Sequence, residues 1–248
     1  MLALKKFSNT RSWLVLFALL LVIRLPYLLT KHTADDTFIA YRTAFNLADH
    51  GQYAFNLGDP SSNGVTSIFL ALIAALCRLV FGDWAVIAIP ALGLAATLVA
   101  TWFVAAALRK PDADRKWVWA MGSLMPVTAM AGYWGMEIFI LIFAIGLALY
   151  MLRDGLVRWP FILCIFALPL IRPDAVVFGL ILVTAAAFFN MRMALIALGA
   201  LLAGVGLLTL FNILVTGSVV TNTITAKLIT FKTDRGVMAV LERLVSVF

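Results

Sequence analysis

The stretch Trp159–Phe189, WPFILCIFALPLIRPDAVVFGLILVTAAAFF, holds two apolar runs, Trp159–Ile171 and Ala175–Phe189, split by Arg172, Pro173 and Asp174. A helix needs about 20 residues to cross ~30 Å of hydrocarbon, and both runs are shorter. Two short helices meeting at a charged turn put that turn below the membrane surface. A bare charge in lipid is expensive, so the turn is expected to line a wet cavity. Short, interrupted apolar segments mark a binding site. The pattern recurs where Trp117–Tyr133 and Ile138–Leu152 are joined by WGME, Trp134 to Glu137.

The rest of the chain agrees with a membrane setting. Hydrophobic residues make up 64% of the 248 and charged ones 12%, with a mean hydropathy of +1.04. A soluble domain carries roughly a quarter charged residues. Barrel strands would alternate, and these runs do not, so the reading is an all-α integral membrane protein. Further apolar segments lie at Trp13–Leu29, Val65–Phe81, Trp84–Leu108 and Met193–Val215. The sum is a bundle of about seven to eight membrane helices in a single domain, 1–248. The basic N-terminus lacks a small-x-small cleavage site, so Trp13–Leu29 is read as a retained helix. The net charge of +7 belongs to cytoplasmic loops and does not imply nucleic acid. Cys77 and Cys164 stand in apolar runs as small hydrophobes. With His32 and His50 the only histidines, a histidine-rich metal site is excluded.

Lys and Arg set the sidedness. Lys5, Lys6 and Arg11 hold the N-terminus inside. The basic loop Leu108–Lys116, then Arg153 with Arg158, then Arg192 are also placed inside. The first external loop, 31–64, then lies outside with WGME, RPD and Thr221–Lys227 (TNTITAK). One conflict remains: two crossings between Gly64 and Lys110 would put Leu108–Lys116 outside. Either one of them stops short, or that loop breaks the rule.

Within the external loop, Asp35–His50 is expected to form a helix. At 100° per residue, Asp35, Arg42, Asn46 and Asp49 share one face and Phe38, Tyr41, Ala44, Phe45 and Ala48 the other. Such a helix lies in the interface, greasy side down. Amphipathicity alone fits a mere tether to the first span. Five external segments, however, carry polar residues beyond a loop's needs: Asp35-Asp36, Asn63–Ser67, Gly135–Glu137, Arg172–Asp174 and Thr221–Lys227. Each has a bland account. Ser62 or Asn63 caps a helix, Arg172-Pro173 snorkels and breaks one, and Glu137 pairs with an arginine. One shared cavity accounts for all five together.

The ordered set ADDTFIAYRTAFNLADHGQYAFN, NGVTS, GYWGMEIFI, IRPDAV and TNTITAKL, over residues 33–228, resembles the GT-C superfamily of membrane glycosyltransferases. It is most similar to the arabinofuranosyltransferases that use a polyprenyl-phosphate donor. The sequence departs from the family's pattern at Thr221, where proline is usual, at Ile138, where threonine is usual, and at Ile68, where proline often follows the serine. Relatives run on beyond the length of this chain, so the resemblance also fits a fragment or a shortened relative.

The resemblance implies a GT-C-like bundle in the plasma membrane, facing outward. It implies transfer of a sugar, arabinofuranose, from polyprenyl phosphate to a hydroxyl on a glycan or protein acceptor. The chemistry needs a positioned carboxylate to take the acceptor's proton, and Asp35 or Asp36 fills that role. It needs donors for the departing phosphate, which Arg172 and Lys227 offer. Glu137 and Asp174 hold sugar hydroxyls or those cations. Arg42, Asn46, Asn63, Thr66, Ser67 and Asn222 complete the expected substrate contacts, with membrane lipid around the donor's tail. No cofactor is fixed by the sequence; a divalent cation, Mg²⁺ or Mn²⁺, fits if Asp35, Asp36 and Glu137 converge. The rival readings are a transporter or flippase of a lipid-linked sugar and a non-catalytic relative.

Overall fold

The computed structural model describes residues 35–59, 61, 65, 67–107, 135–153, 158–217 and 219. Among these, all regular structure is helical. The expected segments Trp13–Leu29, Trp117–Tyr133 and Thr221–Lys227, with Asn63, Thr66, Asn222 and Lys227, lie outside the described residues.

Helix α1 spans Asp35–His50. Its buried stripe is Thr37, Ala40, Tyr41 and Ala44, at helical spacing. The stripe is covered by protein, since Ala40, Tyr41 and Ala44 share a core with Leu70, Ala71, Ala74, Ala75 and Cys77 of α2, Ile68–Phe81. Phe38, expected on that stripe, is instead 51% exposed. The helix turns its face toward α2 and the Gly135 turn, which leaves Phe38 beside the contact rather than in it.

Helix α2 starts three residues later than the apolar run because Ser67 caps it. The Ser67 hydroxyl accepts from Leu70 N at 3.1 Å, and the cap is not Ser62 or Asn63. The helix stops at Gly82, whose backbone (φ 57°, ψ −129°) is one that L side chains rarely adopt. After a short 3₁₀ turn, Gly82–Trp84, the chain enters α3, Ala85–Ala107. Ala85 and Ile89 fold back into the core shared with α2.

The next described helix, α4 (Ile138–Leu152), runs parallel to α3. A Cβ on Gly146 would lie 3.0 Å from the Ala100 carbonyl oxygen, and Arg153 Nη1 donates to Ala106 O at 2.7 Å. The two sequences therefore advance together. Rings of Trp102 and Phe103 against Tyr150, and of Phe103 against Phe143, fill the same seam.

Helix α5, Trp159–Ile171, meets α6, Val176–Ala187, at the RPD turn, and α6 meets α7, Met191–Thr216, at Phe188–Asn190. These two hairpins make α5 and α7 run in the same direction. A second core joins Ala144, Ala148, Phe161, Ile165, Leu168, Leu182, Ala186, Ala194, Ala197 and Leu201 across α4 to α7. Alanine and glycine dominate the closest approaches, which suits helices that pack by contact rather than by escape from water. Buried Thr97 and Thr101 donate to the carbonyls four residues back, at 2.7 and 2.8 Å, so no hydroxyl there is left unpaired.

Two helical stretches are long and apolar enough to cross a membrane, Ile68–Val104 and Met191–Val215. The first contains the break at Gly82. Of its two parts, only α3 with 23 residues reaches the required length alone; the 14 residues of α2 span about 21 Å. Outward-facing Leu163, Val177, Ile181, Leu195, Leu202 and Leu214 are each more than half exposed, which leaves a broad apolar surface on α5 to α7.

Candidate functional site

The site is built where chain breaks meet. Arg172 precedes Pro173 and is accordingly extended (φ −152°, ψ 133°). That conformation ends α5 and carries the guanidinium back over the turn. Arg172 Nε and Nη2 donate to the two oxygens of Asp174 at 2.9 and 3.0 Å, a bidentate pair. Nη1 donates to Glu137 Oε1 at 3.0 Å, across 35 residues of sequence. Glu137 is nearly buried, with 7% of its side chain accessible, against 29% for Arg172 and 69% for Asp174.

Helix ends support each charge. Arg172 lies at the C-terminus of α5, where a cation is favoured, and Asp174 and Glu137 open α6 and α4, where anions are favoured. Hydrogen bonds to Asp174 and the charges of Glu137 and Asp174 hold the Arg172 pKa above its ordinary value, against partial desolvation. The network uses three of five guanidinium N–H groups, leaving two without a partner among the described residues.

The turn is recessed. A Cβ on Gly204 of α7 would strike the Phe166 carbonyl oxygen and touch Pro169, and one on Gly179 of α6 would meet Leu201. The first register puts the RPD turn level with α7 near residue 210 and the second near residue 207. Roughly six to nine residues of α7, ~9–14 Å, therefore rise above it.

Helix α1 reaches the same place. Tyr41 Oη lies 3.5 Å from Gly135 O, and Thr37 packs beside it. Asp35 and Asp36 thus open α1 immediately before a residue packed on the turn that carries Glu137. Their side chains lie outside the described set. Of the other expected residues, Arg42 Nη2 donates to Asn56 at 2.9 Å with its guanidinium 4.5 Å from the Phe55 ring centre. Asn46 Nδ2 donates to the Ala54 and Phe55 carbonyls at 2.9 and 3.0 Å. Both residues secure the loop 51–59 to α1. Ser67 is spent as a helix cap. The structure therefore joins Glu137, Arg172 and Asp174 directly, and gives Arg42, Asn46 and Ser67 intramolecular partners.

Several contributors escaped sequence reasoning. Tyr41 and Thr37 stand four apart on one face, but only Gly135 across 94 residues gives that spacing a purpose. Tyr53 packs edge-on against Phe211, tying loop 51–59 to α7 near the level of the turn. Arg78 bridges Asp49 (2.9 Å) and Asp83 over the Phe45 ring, which locks the far ends of α1 and α2. Charge alone signalled that last group, and nothing in its spacing distinguished it from solvated residues.

No family model, no curated protein and no solved structure matches this chain.

Proposed function

We propose that this chain is a multi-pass plasma-membrane glycosyltransferase of the GT-C kind. It moves a sugar, arabinofuranose, from a polyprenyl-phosphate donor to an acceptor hydroxyl on the non-cytoplasmic side. One observation carries the reading. The Glu137–Arg172–Asp174 network sits roughly 10 Å below the end of α7, and α1, whose first two residues are acidic, packs through Tyr41 onto the Gly135–Glu137 turn. A lipid-linked sugar can reach such a recess with its tail still in the bilayer.

In the proposed reaction, Asp35 or Asp36 takes the proton of the acceptor hydroxyl as its oxygen attacks the anomeric carbon. The bond from that carbon to the lipid phosphate breaks, and the phosphate leaves with the electron pair. Cationic donors offset the charge it gains, and Arg172 has two N–H groups to give. A divalent cation would share that task. It fits Glu137 only through the oxygen that Arg172 does not take, and EDTA treatment followed by Mg²⁺ or Mn²⁺ separates the two versions.

The parallel run of α3 and α4 supports the topology. It puts Ala85 and Glu137 toward one end, and Ala106, Arg153, Arg158 and Asn190 at the other. Read this way, α2 stays on the outer side without crossing, and the basic loop after α3 is cytoplasmic as the positive-inside rule requires. With the apolar segments outside the described residues, seven spans then follow.

The test is mass spectrometry of extracted polyprenyl phosphates. Cells lacking the gene, or carrying Asp35→Asn with Asp36→Asn, are expected to accumulate a polyprenyl-phospho-pentose that the wild-type gene removes. Unchanged lipid-linked sugars would sink the transferase, and a changed leaflet distribution at normal levels would point to a flippase.

A further inference from the structure

We propose that Tyr41 is a positioning residue: with Thr37 it grips the Gly135 turn and so sets where the first turn of α1 stands relative to the Glu137–Arg172 pair. The proposal rests on the transferase reading above and adds an uncharged device to it. Thr37 and Tyr41 are four residues apart, and both are essentially closed to solvent, at 0% and 2% exposure. Both meet Gly135. The phenol oxygen is 3.5 Å from the Gly135 carbonyl, and the Thr37 methyl is in ordinary contact range of a Cβ built there.

Gly135 is fitted to this contact in two ways. Its φ of 56° is left-handed, and a Cβ on it would overlap Tyr41 Oη and press the ring. A side chain at 135 must therefore shift the Tyr41 phenol, and because Tyr41 is closed in by the core it shares with α2, part of that shift passes to the helix that begins with Asp35 and Asp36. On the other side of the contact, Glu137 is two residues away and its backbone carbonyl accepts from Ile140 and Leu141 N, both at 3.0 Å. The turn is thus fixed to α4, and Glu137 is fixed to Arg172 at 3.0 Å. A shift at the joint moves the acidic turn of α1 against a framework that stays in place. Neither Tyr41 nor Gly135 needs to touch substrate for this to matter, because small displacements of a base from its acceptor are costly in rate.

The experiment is a double-mutant cycle in purified full-length protein, read by thermal melting in detergent and by turnover of the polyprenyl-phospho-pentose. Tyr41→Phe keeps the ring but loses the hydroxyl's contact with Gly135, and is expected to lower turnover at saturating donor by about three- to tenfold. Gly135→Ala is expected to lower turnover at saturating donor by about ten- to a hundredfold, with the donor KM changed less than about threefold. Adding Tyr41→Phe to Gly135→Ala removes the atom that the new methyl strikes, and should restore turnover several-fold and raise the melting temperature. A Gly135→Ala protein as active as wild type overturns the proposal. So does a cycle in which the two substitutions act additively. A wild-type protein that turns over no lipid-linked sugar overturns the transferase reading and the positioning role together. Coupling in melting with unchanged turnover overturns only the positioning role.

Discussion

Arg172 and its two carboxylates are not equivalent partners. Glu137 is almost out of solvent and depends on Arg172 for compensation. Arg172→Ala strands that carboxylate and is expected to cost about 3–5 kcal/mol, read as a lower melting temperature in detergent. Asp174 is 69% exposed, so Asp174→Asn should cost less than about 1 kcal/mol. Equal losses from the two variants would contradict this asymmetry. Tyr53 presents the opposite case. Its hydroxyl is buried with no hydrogen-bond partner among the described residues. Tyr53→Phe is therefore expected to leave stability at pH 8 unchanged or to raise it by roughly 1 kcal/mol. Burial pushes the Tyr53 pKa up to about 12. The folded state then keeps a proton that the unfolded chain sheds near pH 10, so stability is level below pH 10 and falls from there toward pH 12. Melts between pH 9 and 12 should show a shallower fall in Tyr53→Phe.

At the scale of elements, close approach is what the helices demand, and the glycines of α7 separate into two kinds. Gly204 faces the Phe166 carbonyl with no room for a methyl, and a carbonyl cannot swing aside as a side chain can. Gly206, two residues on, has open space where its Cβ would be. Gly204→Ala should force α5 and α7 apart at a cost of roughly 2–3 kcal/mol. Gly206→Ala should be neutral or stabilising by about 0.5–1 kcal/mol through helix propensity. Detergent melts of the two variants make the comparison. Sequence alone could not rank these glycines, because which face of a uniformly apolar helix meets a neighbour leaves no periodic trace. Helix limits were far more legible. The ranges of α1, α4 and α5 coincide with the stretches expected from their apolar runs and charged flanks. Helix α2 differs by three residues because a hydroxyl at Ser67 outcompeted the apolar Val65 as the start. Of the short helices around RPD, the one before it was legible in full and the one after it to within two residues, since proline and charge interrupt an apolar run unmistakably. The loop-binding work of Arg42 and Asn46 was not, since a polar helix face looks the same whether it meets substrate or its own chain.

For the whole molecule, the sidedness conflict in the sequence has a geometric resolution that labelling can test. Counting every apolar run as a crossing sends the basic loop after α3 outside. The proposed topology takes Ile68–Phe81 out of the count of spans: it holds 14 residues, turns at Gly82, and packs on α1 through Ala71, Ala74 and Ala75. If α2 remains on the outer side, Asp83 at its end, 96% exposed, shares a compartment with Asp59 in the loop after α1. Phe189, between α6 and α7, occupies the opposite end with Arg192. Single cysteines at Asp59, Asp83 and Phe189, in a chain whose buried Cys77 and Cys164 are replaced by alanine, should then divide two to one. A membrane-impermeant maleimide is expected to label the first two in intact cells and the third only after permeabilisation. The position at 83 decides the matter. Its protection in intact cells, with 59 still labelled, would mean that α2 does cross. The basic loop after α3 would then be external, and the positive-inside rule would fail for this chain.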